Sequence, residues 1–373
     1  MTQDTPKAQK IALIGPVSPF RGGVARHTTQ IAQALQVRPN VDLRVISFSR
    51  LYPRFLYPGG DPKDPDLSAD PALKTEYCLD AVNPLSWFST AESLRAWEPD
   101  TVIIPAWTFF VAPCLGLIAG RLRRAGIRVV SMVHNDADHE SSSLKRAFNN
   151  YQLRSADAFV SHSGALAESL RKVNAGARST VLPMPIFDDY PVSIDPPIRR
   201  AELELLFFGF VRPYKGLDTA IEALALSGRT DVRLTVAGEF WGGRETYDQL
   251  IAAHGVKDRI EIFDRYVSDL EAAGLFARSD AVLLPYRTVT GSAVVALAYH
   301  YLKPVVVTNL PGFTDVVQEG RTGWIIPPDD PNALAELIAT GLSAKECQSM
   351  EPAITDFVAS QSWSALVDAI LTN

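Results

Sequence analysis

The sequence predicts an α/β protein of two doubly wound domains, each a parallel sheet with helices on both faces. Three observations predict it. Short β-branched runs alternate with helical patterns along the whole chain. The alternation lapses at DDYPVSIDPPIRR (Asp188–Arg200), a Pro-rich polar stretch, and then restarts. Each half also opens with an apolar run, a Gly-containing loop and a helical pattern. At 373 residues the chain has the length of about two domains at roughly 150 residues each.

In the first half, strands are expected at Lys10–Ile14, Asp42–Ser47, Thr101–Ile104, Arg128–Val133, Ala158–Ser161 and Ser179–Leu182. Helices are expected at Gly23–Gln36, Pro113–Ala125, Ser142–Leu153 and Gly164–Val173, with an irregular loop over Arg50–Pro71. In the second half the strands are Leu203–Phe208, Arg233–Ala237, Ile260–Phe263, Ala281–Leu284, Pro304–Thr308 and Trp324–Ile326. Its helices are Leu217–Leu226, Thr246–His254, Asp269–Ala277, Ala293–Tyr301 and Ala333–Gly341. The expected domains are 1–187 and 201–356, joined by a linker at 188–200 and followed by a C-terminal segment, 357–373. Two such domains are expected to leave a cleft where the carboxyl ends of both sheets converge.

Charge and cysteine usage exclude some functions. The formal net charge is -6, which argues against bulk nucleic-acid binding. Cys78, Cys114 and Cys347 are scattered and odd in number, which fits a reducing cytosol better than a disulfide framework or a zinc site. MTQDTPKAQK has no apolar signal core, so a cytoplasmic protein is expected. Thr101–Gly120 carries no charge, the length of a membrane-span candidate. Pro105 and Pro113 fit a strand end and a helix start better than a spanning helix. Trp107, Phe109 and Phe110, with Arg121, Arg123 and Arg124 nearby, are read first as core packing and a solvated helix face. A peripheral contact at the inner membrane surface is the second expectation from these residues.

The chemistry is expected in the loops. In LLFFGFVRPYKG (Leu205–Gly216) an apolar run ends at Gly209, and Arg212 and Lys215 follow before a helix begins. Backbone N–H groups and the helix dipole favour an anion there, and the two cations match a diphosphate. In the first half, Gly15 is followed by PVSPFR, Gly22, Gly23 and a helix. This is not the dinucleotide fingerprint, so NAD and FAD are disfavoured; Gly22 and Gly23 either let backbone approach a ligand or serve a turn. His134 stands just past a buried strand among Asn135, Asp136, Asp138, His139 and Glu140. The spacing matches no metal motif, and contact with sugar hydroxyls or a reacting centre is expected over metal binding, with helix capping by Asn135 or Asp136 as the plain alternative. Thr290, Gly291 and Ser292 precede an apolar helix, a second phosphate-ready terminus or an ordinary cap. Glu239 and Arg244 follow another strand, Asp264, Arg265, Tyr266 and Val267 are placed to cradle a flat base, and Asp315 follows Gly312.

Together these segments resemble a family. LLFFGFVRPYKGLDTAIEAL, RLTVAGE, RIEIFDRYVSDLEAAGLFARSDAVLLPY and KPVVVTNLPGFTDVVQEGRTGWIIPPDDPNALAELI resemble the donor half of the GT4-like retaining glycosyltransferases. RGGVARHTTQIAQAL and VVSMVHN resemble its acceptor half. The resemblance implies a GT-B fold of two Rossmann-like domains and transfer of a sugar from a nucleoside-diphosphate sugar to a glycan or lipid-linked hydroxyl, with retention of configuration. It implies that Arg212 and Lys215 hold the diphosphate, that Gly22 and Gly23 approach the donor, and that His134 lies near the sugar. It places Arg265, Tyr266 and Val267 at the base and the backbone N–H groups of Thr290 to Ala293 at the phosphates. Ser362-Trp363 resembles the start of a C-terminal helix returning to the first domain. No cofactor or metal is implied beyond the nucleotide-sugar co-substrate.

The sequence departs from the family at one place. Most members carry Glu-x7-Glu where this chain has Val289 and Leu297. Neither can accept a hydrogen bond, so Thr290 and Ser292 are expected to substitute. Two rivals share the pattern. A nucleotide-sugar epimerase needs acid–base carboxylates, which the missing acids weaken. A non-catalytic binding subunit would explain missing acids but not the presence of Arg212, Lys215 and His134.

Overall fold

Runs of Val, Ile and Leu with no polar face require a sheet covered on both sides, and that is how they are used. The structure, a computed structural model, describes residues 8–53, 62–64, 68–135 and 142–372. Its contacts divide the chain into two units. The first runs to Pro183 and takes in the segment from Ser362 onward; the second is Met184–Gln361.

The first unit holds a seven-stranded parallel sheet in the order β3-β2-β1-β4-β5-β6-β7. Its strands are β1 (Gln9–Ile14), β2 (Val41–Arg50), β3 (Glu76–Asp80), β4 (Thr101–Ala106), β5 (Arg128–Val133), β6 (Ala158–Ser161) and β7 (Arg178–Val181). Parallel neighbours need long crossovers. These carry α1 (Gly23–Gln36), α2 (Pro84–Trp97), α3 (Ala112–Arg124), α4 (Ser143–Leu153) and α5 (Gly164–Val173). The second unit holds a six-stranded parallel sheet, β10-β9-β8-β11-β12-β13. Those strands are β8 (Leu203–Phe208), β9 (Val232–Ala237), β10 (Ile260–Phe263), β11 (Ala281–Leu284), β12 (Val305–Thr308) and β13 (Gly323–Ile326). Between them lie α6 (Leu217–Leu226), α7 (Glu245–Ala253), α8 (Asp269–Arg278), α9 (Ala293–His300) and α10 (Pro311–Thr314), and after β13 come α11 (Pro331–Glu336), α12 (Ala344–Ser349) and α13 (Glu351–Ala359).

Strand order reverses between β1 and β4 in the first sheet and between β8 and β11 in the second. Loops leaving strands at such a switch point diverge and open a crevice. The loops after β1, β8 and β11 are the ones that the motifs mark.

The uncharged Thr101–Gly120 stretch divides into β4, every residue of which is buried, and most of α3, with Pro113 in its first turn. Among the described residues no helix is long and apolar enough to cross a membrane. Trp107 and Phe110 pack against the core, and Trp107 donates to the Tyr52 hydroxyl at 3.1 Å. Arg121 pairs with Glu92 at 3.0 Å and Arg123 with Asp157 at 2.7 Å.

The last helix, α14 (Trp363–Thr372), belongs to the first unit. Leu366, Val367 and Ile370 are buried in one cluster with Ile31 and Leu35 of α1 and Val45 of β2. The Arg128 guanidinium donates to the carbonyls of Ile370 and Leu371, both at 3.1 Å, and so caps the helix end. Arg38 adds an ion pair to Asp368 at 2.6 Å.

Candidate functional site

In the second unit, β8 ends at Phe208 and the chain turns through Gly209 into a short 3-10 turn, Pro213–Lys215. Arg212 precedes that turn, Lys215 closes it, and Gly216 then starts α6. Gly216 has φ 69°, and a Cβ there would lie 2.1 Å from the Pro285 carbonyl oxygen, so only glycine lets the turn sit on the loop after β11. A Cβ on Gly238, just past β9, would lie 2.2 Å from the Gly209 carbonyl oxygen. The two strand ends therefore meet backbone to backbone.

The floor of this site joins three elements. A Cβ built on Gly209 would stand 3.4 Å from Lys215 Nζ and 3.7 Å from Val294 Cγ2, in the first turn of α9. Lys215 is buried at 8% exposure, with Nζ 5.3 Å from the centre of the Tyr286 ring. Burial, and then the neighbouring charge of Arg212, push its ammonium down to about 7. The Arg212 guanidinium lies 5.2 Å from the Trp241 ring and 5.9 Å from Tyr214, and its buried Nε has no hydrogen-bond partner among the described residues. Among the described residues neither cation has a carboxylate partner.

A side chain that the sequence reading passed over holds the turn. Arg287 donates to both carboxylate oxygens of Asp218, at 3.0 and 2.8 Å, and to the Pro213 carbonyl at 2.6 Å. Its own backbone N–H donates to the Tyr214 carbonyl at 2.7 Å, and it also pairs with Asp329. The loop after β11 thus grips the turn carrying Arg212 and Lys215.

That loop continues through Thr290, Gly291 and Ser292 into Ala293, the first residue of α9. Ser292 makes no side-chain cap; Val295 N–H donates to the Ser292 carbonyl at 3.1 Å, and among the described residues the N–H groups of Ala293 and Val294 are left for another partner. Gly312 packs against the loop, since a Cβ there would lie 3.0 Å from Thr290 C and from the Val289 carbonyl oxygen. Glu239 is half-buried past β9, its carbonyl accepting from Val211 N–H at 2.9 Å. Arg244 pairs with Asp248 at 3.1 Å, and Asp315 is exposed at the end of α10.

The segment after β10 adjoins the loop after β9, with Asp264 Oδ1 accepting from the Phe240 N–H at 3.2 Å. Arg265 holds Glu271 through both carboxylate oxygens, at 2.8 and 2.6 Å, which keeps that acid down at about 2. Tyr266 is half-buried, and its carbonyl accepts from Arg265 at 3.1 Å. Val267 lines a cavity of about 410 Å³ with Phe263, Leu270, Leu275 and Pro197; neither Arg212 nor Lys215 lines it.

In the first unit, Gly22 (φ 95°) caps α1 and Gly23 is its first residue. His134 follows β5, its backbone N–H donating to the Ala106 carbonyl at 2.8 Å. Asn135 donates to the same carbonyl at 3.3 Å; Asp136, Asp138, His139 and Glu140 lie outside the described residues. His134 meets two histidines that were not singled out. The ring of His27, on α1, lies edge-on 4.7 Å from His134, and the His162 ring, just past β6, is 6.1 Å from it. His162 Nε2 and His27 Nε2 share a proton across 2.9 Å, and His162 Nδ1 meets the Leu182 carbonyl at 2.9 Å. Trp363 of α14 closes over His27 at 5.0 Å. Burial holds all three rings neutral: His134 is pushed down to about 3, His162 to about 4, and His27 well below the usual imidazole range.

Residues 21–189 match the family model described as Glycosyltransferase Family 4, and residues 202–343 match that described as Glycosyl transferases group 1. The chain belongs to the GT4-like glycosyltransferase family. A glycogen synthase of Mycobacterium tuberculosis is 25% identical over 264 residues, 66% of this chain and 61% of that protein. The chain spans less than two thirds of the length of the first curated relatives it matches. Two solved structures share the GT-B fold. Sucrose-phosphate synthase from Thermosynechococcus elongatus has a TM-score of 0.74 at 18% identity, covering 98% of each chain. Anabaena HepE in complex with UDP and glucose has a TM-score of 0.71 at 17% identity, covering 98% of this chain and 99% of that one.

Within this GT4-like chain the two substituted acid positions are plain. Leu297 is 3% exposed, a buried apolar position of α9, and Val289 is half-buried against Gly312. The hydroxyls of Thr290 and Ser292 flank the same loop, both half-buried.

Proposed function

We propose that this chain transfers a sugar from a nucleoside-diphosphate sugar to a hydroxyl of a glycan or lipid-linked acceptor, with retention of anomeric configuration. The observation that carries the reading is the pair of cations, Arg212 and Lys215, without a carboxylate partner among the described residues. Two inward cations without counter-charge are costly unless an anion completes them. A diphosphate supplies two phosphoryl groups, and the uncapped start of α9 lies beside the same floor.

The chemistry follows from charge. As the glycosidic bond to the diphosphate breaks, negative charge gathers on the leaving oxygen. Arg212, Lys215 and the α9 backbone donors stabilise that charge in place, which lowers the barrier. With two side-chain cations at the diphosphate no divalent ion is needed there, and turnover persists in EDTA. The leaving phosphate takes the acceptor proton, so no side-chain nucleophile is used. Glu239, Arg265, Tyr266 and Val267 complete the donor contacts, and by the family resemblance Gly22, Gly23 and His134 serve the sugar. The family membership and the UDP and glucose named for HepE support a uridine or related nucleotide as the first donor to test.

The deciding experiment is titration calorimetry with UDP, ADP and GDP on the double variant Arg212→Ala, Lys215→Ala. Affinity for the diphosphate that wild type binds should fall at least about 100-fold, with transfer abolished and the fold intact by circular dichroism. Wild-type diphosphate affinity in the folded double variant overturns the donor site. In the same assays His134→Ala should lower turnover far more than nucleotide affinity.

A further inference from the structure

We propose that His27, His134 and His162 form a three-imidazole site for a divalent transition-metal ion of the zinc type. The proposal goes beyond the donor-site reading and stands whether or not Arg212 and Lys215 hold a diphosphate.

Three parts of the chain far apart in sequence deliver these rings to one point: α1, the turn after β5 and the turn after β6. β5 and β6 are neighbours in the parallel sheet, paired from Val130↔Ala158 to Val133↔Ser161. His134 and His162 each follow directly on the last residue of that register, so both emerge at the same carboxyl edge. His27 descends onto them from α1. One ligand nitrogen from each ring lies within 4.8 Å of the other two. A tetrahedral zinc centre with Zn–N bonds of about 2.0–2.1 Å holds its nitrogens about 3.3 Å apart. The 2.9 Å between His27 Nε2 and His162 Nε2 is already that close. The widest pair has to close by about 1.5 Å to reach that spacing.

The surroundings of the rings fit ligation. A metal-binding imidazole ordinarily gives its other ring N–H to a carbonyl or carboxylate, which fixes tautomer and orientation. His162 Nδ1 does this with the Leu182 carbonyl at 2.9 Å, leaving the Nε2 lone pair aimed into the cluster. His27 is 1% exposed and its Nδ1 has no hydrogen-bond partner among the described residues, so its ring has bonding capacity to spare. Among the described residues the group contains neither carboxylate nor thiolate. All-imidazole donor sets select Zn²⁺, Cu²⁺ or Ni²⁺ over Mg²⁺ and Ca²⁺, which need oxygen ligands. Three protein ligands leave the fourth tetrahedral position to a water or an anion.

The test uses the full chain, stripped with EDTA and dialysed, then titrated with ZnCl₂ or CoCl₂. One equivalent should bind, raise the melting temperature, and give Co²⁺ the intense visible absorption of a four-coordinate ion. MgCl₂ and CaCl₂ should do none of this. His162→Gln and His27→Gln should each lower Zn²⁺ affinity at least about 100-fold, checked for folding by circular dichroism. Failure to bind an equivalent, a six-coordinate Co²⁺ spectrum, or full uptake by a folded His27→Gln, His162→Gln variant overturns the site. Where the variants do not fold, X-ray absorption at the zinc edge of the loaded wild-type chain decides: three imidazoles support the site, fewer overturn it.

Discussion

The two units are built on the same plan and furnished in opposite ways. Both present loops at the carboxyl ends of a parallel sheet, beside a switch in strand order. In the second unit those loops place Arg212 and Lys215, charge without counter-charge among the described residues. In the first, those loops and α1 place His134, His162 and His27, rings that burial keeps neutral. A shared fold therefore says where chemistry will sit, while side chains in a few loops decide what kind. The units differ also in closure. The second is one continuous stretch, and the first is finished by a helix from beyond it.

The largest effect tests that closure. Leu366 is 1% exposed on α14, packed with the α1 and β2 side chains of the first unit. Leu366→Ala removes four carbons' worth of packing less one methyl and should cost about 2–5 kcal/mol. Followed by chemical denaturation, the transition of the first unit should move and that of Met184–Gln361 should stay. A loss under about 1 kcal/mol would mean that α14 is dispensable to the first unit.

The next effect sharpens the contrast in charge. The Lys215 ammonium is lowered to about 7 in the folded protein, chiefly by burial. Above that pH it gives up its proton, and a bound diphosphate restores it. Diphosphate binding should therefore take up a proton and weaken as pH rises beyond about 7, by up to tenfold per pH unit. Calorimetry in two buffers of different ionisation enthalpy reads the proton directly. Lys215→Arg, charged throughout, should flatten the profile; an equally steep profile in that variant would assign the proton to another group.

The smallest effect concerns the departure from the family. Thr290→Val with Ser292→Ala should weaken donor binding several-fold, since each hydroxyl contributes on the order of 0.5–1.5 kcal/mol. The uncapped backbone donors of α9 remain, so the helix should persist. Unchanged affinity for the nucleotide sugar would show that the backbone alone replaces the missing acids.

Much of this was legible in the sequence, for identifiable reasons. The runs LELLFF, TVIIPA and RVVSMV are buried on both sides, so their composition alone marks them as strands. Two elements of the first unit left little trace. β3 is an edge strand, EYCLD, with only Leu79 fully buried. α2 buries only Thr90, Ala91 and Leu94 of its fourteen residues, so it shows almost no apolar stripe. Arg212 and Lys215 could be found because a short loop keeps them adjacent in sequence. Arg287 and Asp218 could not, because their contact spans 69 positions and neither belongs to a local pattern. His27 and His162 escaped for the same reason. The available signal was positional: His162 follows β6 as His134 follows β5.

The placement of α14 also orders events in time. A ribosome makes the chain from its first residue onward, at about 5–20 residues per second. After Pro183 has been added, Met184–Gln361 must still be synthesised before Ser362 arrives, an interval on the order of ten to thirty-five seconds. Throughout that interval the nascent first unit lacks the helix that covers Ile31, Leu35 and Val45. The unit that begins first is completed last, and its greasy face stays uncovered until the later unit has its whole sequence.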